Sequence, residues 1–326
     1  MSEEKPILIE DLDLSLLANI KEKDLTTQGL MVLEGRIVIE KALESGVVPR
    51  FLVCTEAQEE YWRKKAKEFS ACPIQDDDDV ASGGNIGEII FPMRIMSHES
   101  VCNLVDFKFH RGAIAVAEIP QIKPFDLRSI SQEILARKPM DLSSRGSEMT
   151  SSRRLGMAES SRCQLYLCLW NVTDPSNLGA LIRTAACLGA AAVLLGPGCA
   201  NPYYRKTIRA SMGNVFSIPI WSVDLDTLGA LNREGMKIIA AALTEKAINP
   251  EALRFAFSRH TSQDSSALDY RSDSAILILG NEGYGLPIEV LALADTQVRI
   301  PMAAGSDSLN VAVAGGILMY EIIRLL

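Results

Sequence analysis

Leu165-Tyr166-Leu167-Cys168-Leu169 is an unbroken apolar run, and Asn171-Val172-Thr173-Asp174-Pro175-Ser176-Asn177-Leu178-Gly179, polar and Gly-bearing, follows almost at once. Apolar residues without alternation mark a strand buried on both faces, as in a parallel sheet covered by helices. The pattern repeats downstream. Spacing predicts helices over 177–188, 203–212, 225–234, 288–294 and 309–326, and strands over 191–195, 215–221, 237–243, 275–279 and 298–301, with a polar loop over 258–273. Strands and helices alternating at this short interval predict a largely parallel sheet.

Upstream, a helix is expected over 34–45 with Gly46 as its stop, a strand over 51–54, a charged helix over 59–69 and a strand over 113–117. That is a second, small α/β domain. The four-acid run Asp76-Asp77-Asp78-Asp79 reads as a solvated turn. Residues 121–163 are rich in Ser, Arg and Glu, with weak apolar periodicity, and read as an exposed linker or insertion carrying Arg137, Lys138, Arg145, Arg153, Arg154 and Arg162. The expected division is 1–120, 121–163 and 164–326, in line with about two domains for a 326-residue chain.

Net charge is −8, which opposes nucleic-acid binding at long range, but residues 1–60 hold 13 acids and 6 bases and so account for most of it. A local basic face elsewhere stays open. The seven cysteines form no C-x-x-C pair, which argues against a zinc site or disulfide framework and predicts a reducing compartment. The first twenty residues are acidic and lack the basic start of a signal peptide. Residues 309–326 are interrupted by Asn310, Glu321 and Arg324 and barely reach bilayer-spanning length, so they predict a buried helix in a soluble, cytoplasmic protein.

In an open parallel sheet, ligands sit outside the carboxyl ends of the strands. Three polar segments fall there: Asn171 to Gly179, running on to Arg183-Thr184-Ala185; Gly280-Asn281-Glu282-Gly283-Tyr284-Gly285-Leu286; and Ile300-Pro301-Met302 followed by Ser308-Leu309-Asn310. Ser176 or Asn177 is expected to cap the first helix, and Ser308 and Asn310 to open the last. The second segment reads G-x-x-G-x-G, not the dinucleotide order G-x-G-x-x-G, and lies late in the chain.

Together, N-x-x-D-P-x-N-x-G-x-x-x-R-T-A, L-G-N-E-G-x-G-L and I-P-M-x-x-x-x-x-S-L-N-V resemble, in order and interval, the three motifs of the SpoU (TrmH-type) branch of the SPOUT methyltransferases. The resemblance covers roughly 164–326. It extends weakly to 30–120, where Leu33-Glu34-Gly35-Arg36 and His110-Arg111-Gly112 look like the small ribosomal-protein-like RNA-binding domain many members carry.

The resemblance implies an α/β fold with a trefoil-knotted C-terminal parallel sheet, a homodimer, and transfer of methyl from S-adenosylmethionine to a ribose 2′-hydroxyl of structured RNA, tRNA or rRNA, without a metal or a membrane. Carried over by position, Arg183 meets the ribose hydroxyl and neighbouring phosphate, Asn177 helps position it, and Glu282, Ser308 and Asn310 complete the catalytic set. Gly280, Ile300, Met302 and Leu309 hold the cofactor. Because an arginine pKa exceeds about 12, Arg183 suits stabilisation of a developing alkoxide better than proton removal. RNA binding needs positive charge, for which Arg205, Lys206 and Arg209 are the candidates, joined by His98, His110, Arg111 and the arginines of the insertion. A non-catalytic RNA-binding and dimerisation module of the same fold is the alternative, separable by cofactor titration. A nicotinamide-dependent oxidoreductase is disfavoured by the missing fingerprint.

Overall fold

The structure, a computed structural model, describes residues 14, 16–17, 22–70, 91–105, 112–126, 164–253, 274–303 and 308–325. The acidic run at 76–79, His110, Arg111, the Arg-rich stretch 127–163 and the loop over 258–273 lie outside the described residues. The chain forms two compact units: residues 1–121, 174–186 and 200–218 in one, and 122–173, 187–199 and 219–326 in the other.

The first unit contains α1 (Glu22–Thr27), β1 (Leu30–Glu34), α2 (Arg36–Glu44), β2 (Pro49–Thr55), α3 (Glu59–Ser70), β3 (Met93–Met96), α4 (His98–Leu104) and β4 (Ala113–Glu118). Its described strands run β1-β4-β2-β3, with β4 antiparallel to β1 and β2, and β3 parallel to β2. Leu25, Leu30, Val32, Phe51, Val53, Val101, Ile114 and Val116 make its core. Residues 174–186 contribute most of α5 (Pro175–Leu188), and 200–218 contribute α6 (Arg205–Ala210).

The second unit holds β5 (Leu165–Leu169), β6 (Ala192–Leu195), β7 (Ile220–Ser222), α7 (Leu225–Arg233), β8 (Lys237–Ala241), β9 (Ala275–Leu279), α8 (Ile288–Leu293), β10 (Thr296–Val298) and α9 (Val311–Ile323). Its six described strands are all parallel in the order β10-β8-β9-β5-β6-β7. Strand β9 is thus inserted between β8 and β5, both laid down earlier in the chain. Every residue of β5 and β9 is buried, as unalternating apolar runs require. One face packs Tyr166, Cys168, Leu194, Ile238 and Ile278 against Leu228 and Leu231 of α7 and Val290 of α8, and α9 packs on β5 and β9.

Several expected boundaries move. The strand expected over 215–221 is a 3₁₀ turn at Asn214–Phe216 followed by a three-residue strand from Ile220. Met212 (φ 53°) and Gly213 (φ 74°) turn the chain through the left-handed region just before Val215, so the β-branched pattern there is overridden. Helix α6 is shorter than the expected 203–212, because Tyr203 is drawn out to stack on Phe216 at 6.1 Å. Edge strand β10 ends at Val298, not Pro301, and Arg299 N donates instead to Ile248 O. Strand β3 (Met-Arg-Ile-Met) was not expected at all; its residues are half-buried and carry no sharp alternation.

Candidate active site

Within the first unit, α5 starts on Asp174. Its Oδ1 accepts Ser176 N at 2.7 Å and Asn177 N at 3.0 Å, with Pro175 at the first helical position. Asp174, not Ser176 or Asn177, is therefore the cap. Asx–Pro at this junction is pre-organised, since the proline has no N–H to satisfy. The Asp174 carboxyl is held below the usual carboxylate range, chiefly by the Asn177 N–H, against some desolvation and with help from Lys206. Gly179 is required for packing: a Cβ there would sit 2.5 Å from Thr207 O and 2.6 Å from Ala210 Cβ, so only glycine lets α5 lie this close to α6. Asn177 is half-buried. Arg183 is exposed and makes no ion pair among the described residues.

The three bases of α6 are not equivalent. Lys206 Nζ lies 3.1 Å from Asp174 Oδ2. Arg209 Nη1 lies 3.5 Å from Oε2 of Glu34, a carboxylate only 2% exposed at the end of β1. Arg205 is half-buried. The cluster looks uncompensated along the sequence because its acids come from distant segments. Each paired base still presents an exposed head. His98 opens α4 and lines a hollow with Thr55, Gln58, Ser97 and Gly112.

In the second unit a cavity of about 400 Å³ opens at the carboxyl ends of β8, β9 and β10. Gly280, Glu282, Ile300, Met302, Ser308 and Leu309, all candidates from the sequence, line it. So do Asn281 and Leu286 of the same second segment, and residues the sequence reading did not single out: Ala241 to Thr244 at the end of β8, and Ala314 and Leu318 of α9. The signal for Ala241 to Thr244 was present, since the end of β8 is another strand carboxyl end. Asn310 instead caps α9, its Oδ1 accepting Ala312 N at 2.9 Å.

The loop after β9 is a closed backbone structure. Asn281 and Gly285 exchange two main-chain hydrogen bonds, of 3.2 and 2.9 Å. Asn281 Oδ1 accepts Gly283 N and Tyr284 N at 2.9 and 3.1 Å, and its Nδ2 donates to Asn171 O at 3.0 Å. A Cβ on Gly280 would lie 2.6 Å from Gly285 O, so the loop folds back onto the strand end only because Gly280 has none. A pocket of this size, lined mainly by apolar side chains with a few polar groups, suits a small organic ligand. No cluster of three metal-ligating side chains occurs among the described residues.

A parallel α/β sheet with a ligand-sized cleft at its strand ends is the architecture of a small-molecule-binding domain. Residues 164–320 match the SpoU rRNA Methylase family. A Mycobacterium tuberculosis protein described as a tRNA/rRNA methyltransferase is 28% identical over 303 residues, covering 91% of this chain and 81% of that one. The 23S rRNA (guanosine(2553)-2′-O)-methyltransferase RlmP of Bacillus subtilis is 36% identical over 152 residues, 46% of this chain and 54% of its own. The AdoMet-bound rRNA methyltransferase of Sinorhizobium meliloti superposes with a TM-score of 0.64 at 23% identity, covering 97% and 94% of the two chains, and so shares the fold.

Proposed function

We propose that the chain transfers a methyl group from S-adenosylmethionine to a ribose 2′-hydroxyl of tRNA or rRNA, acting as a cytoplasmic homodimer with a knotted C-terminal domain. The observation that carries this reading is the cavity itself, because residues of both the second and the third sequence motifs line one ligand-sized space. The names of the mycobacterial and Bacillus relatives support the reaction class. The insertion of β9 between earlier strands suits a knotted chain path.

In this reading the cavity lined by Gly280, Ile300, Met302 and Leu309 holds the cofactor, which supplies an electrophilic methyl on a sulfonium. Arg183, exposed and without an ion pair among the described residues, binds the RNA phosphate and stabilises negative charge on the attacking oxygen. Attack of the hydroxyl oxygen on that methyl would break the methyl–sulfur bond and leave a neutral thioether on the cofactor, and the hydroxyl proton would pass to the phosphate held by Arg183. Asn177, Glu282 and Ser308 orient the reactants, and Asn310 fixes the start of α9. Arg205, Lys206 and Arg209 take RNA phosphates, together with the small domain of residues 1–120 and the arginines of 121–163. The exposed apolar residues Leu309, Val313, Ile317 and Tyr320 run along one side of α9 and its start, and a second copy of the chain covers them. Calorimetric titration with S-adenosylmethionine, then transfer of labelled methyl to unmodified rRNA and tRNA with mapping of the modified ribose, tests the proposal. A folded chain that binds no cofactor refutes it.

A further inference from the structure

The most exposed large apolar side chains among the described residues are Tyr284 at 92%, Ile288 at 77% and Leu243 at 63%. They are not scattered. Tyr284 and Leu243 line the cavity at the ends of β8 and β9, and Ile288 begins α8 just beyond the same loop. Single exposed apolar residues are ordinary, whereas two that line one cleft, with a third close by in the chain, ask for a ligand.

Tyr284 is also held in place. Its N–H is fixed by Asn281 Oδ1 at 3.1 Å, and the loop on either side is closed by the paired Asn281–Gly285 hydrogen bonds. Its neighbours Gly283 and Gly285 carry no side chains to cover the ring. A Cβ on Gly285 would meet nothing within 4 Å. The one charge of the loop, Glu282, is a carboxylate and exposed, which disfavours a phosphate beside the ring and leaves a planar, uncharged group as the partner. Building on the proposed methyl transfer to RNA, we infer that Tyr284 is a stacking platform for an unpaired RNA base at the mouth of the cofactor cavity. Stacking on a bare aromatic ring is tolerant of base identity, so Tyr284 supplies affinity for an opened-out nucleotide and not sequence choice.

The test measures two dissociation constants on the full-length protein: for unmodified 23S rRNA transcript without cofactor, and for S-adenosylmethionine without RNA. Tyr284→Ala and Tyr284→Leu are expected to weaken RNA binding about tenfold or more, and by a larger factor than cofactor binding. Tyr284→Phe and Tyr284→Trp, which keep a π-face, are expected to stay near wild type. The leucine variant separates stacking from mere apolar contact: wild-type RNA affinity in Tyr284→Leu overturns the inference. So does an equal loss of cofactor affinity, or conversion to a monomer in light scattering, which would assign the ring to the cofactor or to a second copy. Because RNA binding is read without turnover, absence of methyl transfer by the wild-type protein would count against the proposed reaction alone.

Discussion

Lys206 Nζ sits 3.1 Å from Asp174 Oδ2 while Oδ1 of the same carboxylate accepts the first two N–H groups of α5. One side chain thus both starts the helix that carries Asn177 and Arg183 and pairs with a base of α6. The cap fixes where Asn177 and Arg183 stand along α5, and the ion pair ties that start to α6.

The folded-state pKa of Asp174 is depressed, chiefly by the Asn177 N–H. Its contribution is therefore complete above the unfolded value of about 3.9 and is lost as pH falls through the lower folded value. Asp174→Ala should cost about 1 kcal/mol at neutral pH. The gap in melting temperature from wild type should narrow below about pH 4. Asp174→Asn should recover most of the cap, because its amide oxygen can accept the same N–H groups. Thermal melts across a pH series check both.

Gly179 and Gly229 should respond to alanine with opposite signs. Each lies within a helix, where alanine gains about 1 kcal/mol in propensity. At Gly229 the nearest atom to a new Cβ is Leu293 Cδ2 at 3.8 Å, and the gain should appear. At Gly179 the obstruction is the Thr207 backbone oxygen at 2.5 Å, which cannot turn aside. A net loss of about 1–3 kcal/mol is expected there, read from denaturant unfolding.

Arg209→Ala would strand Glu34, which is 2% exposed. With Arg209 itself 43% exposed, the expected cost is about 2 kcal/mol, below that of a fully buried pair. Glu34→Gln in the same chain should restore much of it, and a double-mutant cycle measures the coupling. Charge reversal at Arg209 is accordingly a poor probe of RNA binding, since it loosens the small domain first. Lys206, whose acid is exposed, is the better site.

Arg183→Ala should leave stability within about 0.5 kcal/mol, because the side chain is exposed and forms no ion pair among the described residues. Methyl transfer should fall at least about a hundredfold, the scale of losing one transition-state donor, with S-adenosylmethionine affinity little changed. Turnover near wild type would remove Arg183 from the mechanism.

Val313 and Tyr320 are 52% and 53% exposed on α9, opposite Leu318, Met319 and Ile322, which are buried. Val313→Glu with Tyr320→Lys should shift the proposed dimer to monomers in light scattering while each monomer keeps its helical signal. An unchanged mass would place the interface elsewhere.

The parallel sheet and the linings of its cleft were legible because they are written contiguously: the unalternating runs at Leu165–Leu169 and Ala275–Leu279, and the glycine-bearing loop at Gly280. What escaped was written across distance. The acids that meet Lys206 and Arg209 lie at positions 174 and 34, and no local pattern links them. Asp174 was passed over as a cap because Ser176 and Asn177 are equally good capping types. Only the geometry shows which of the three has its backbone outside the helix. The expected strand at 215–221 failed where two successive left-handed residues outweighed β-propensity.

The loop that returns onto Gly280 builds its edge of the cleft largely from main chain. Peptide groups are common to every sequence, so that edge can persist while the residues around it drift, provided position 280 stays bare and Asn281 keeps its three side-chain hydrogen bonds. Tyr284 and Leu243, by contrast, hang from the rim with little packed against them. Variation there can reshape the mouth while the main-chain edge stands, so side-chain contacts and backbone frame can evolve, or be engineered, at different tempos.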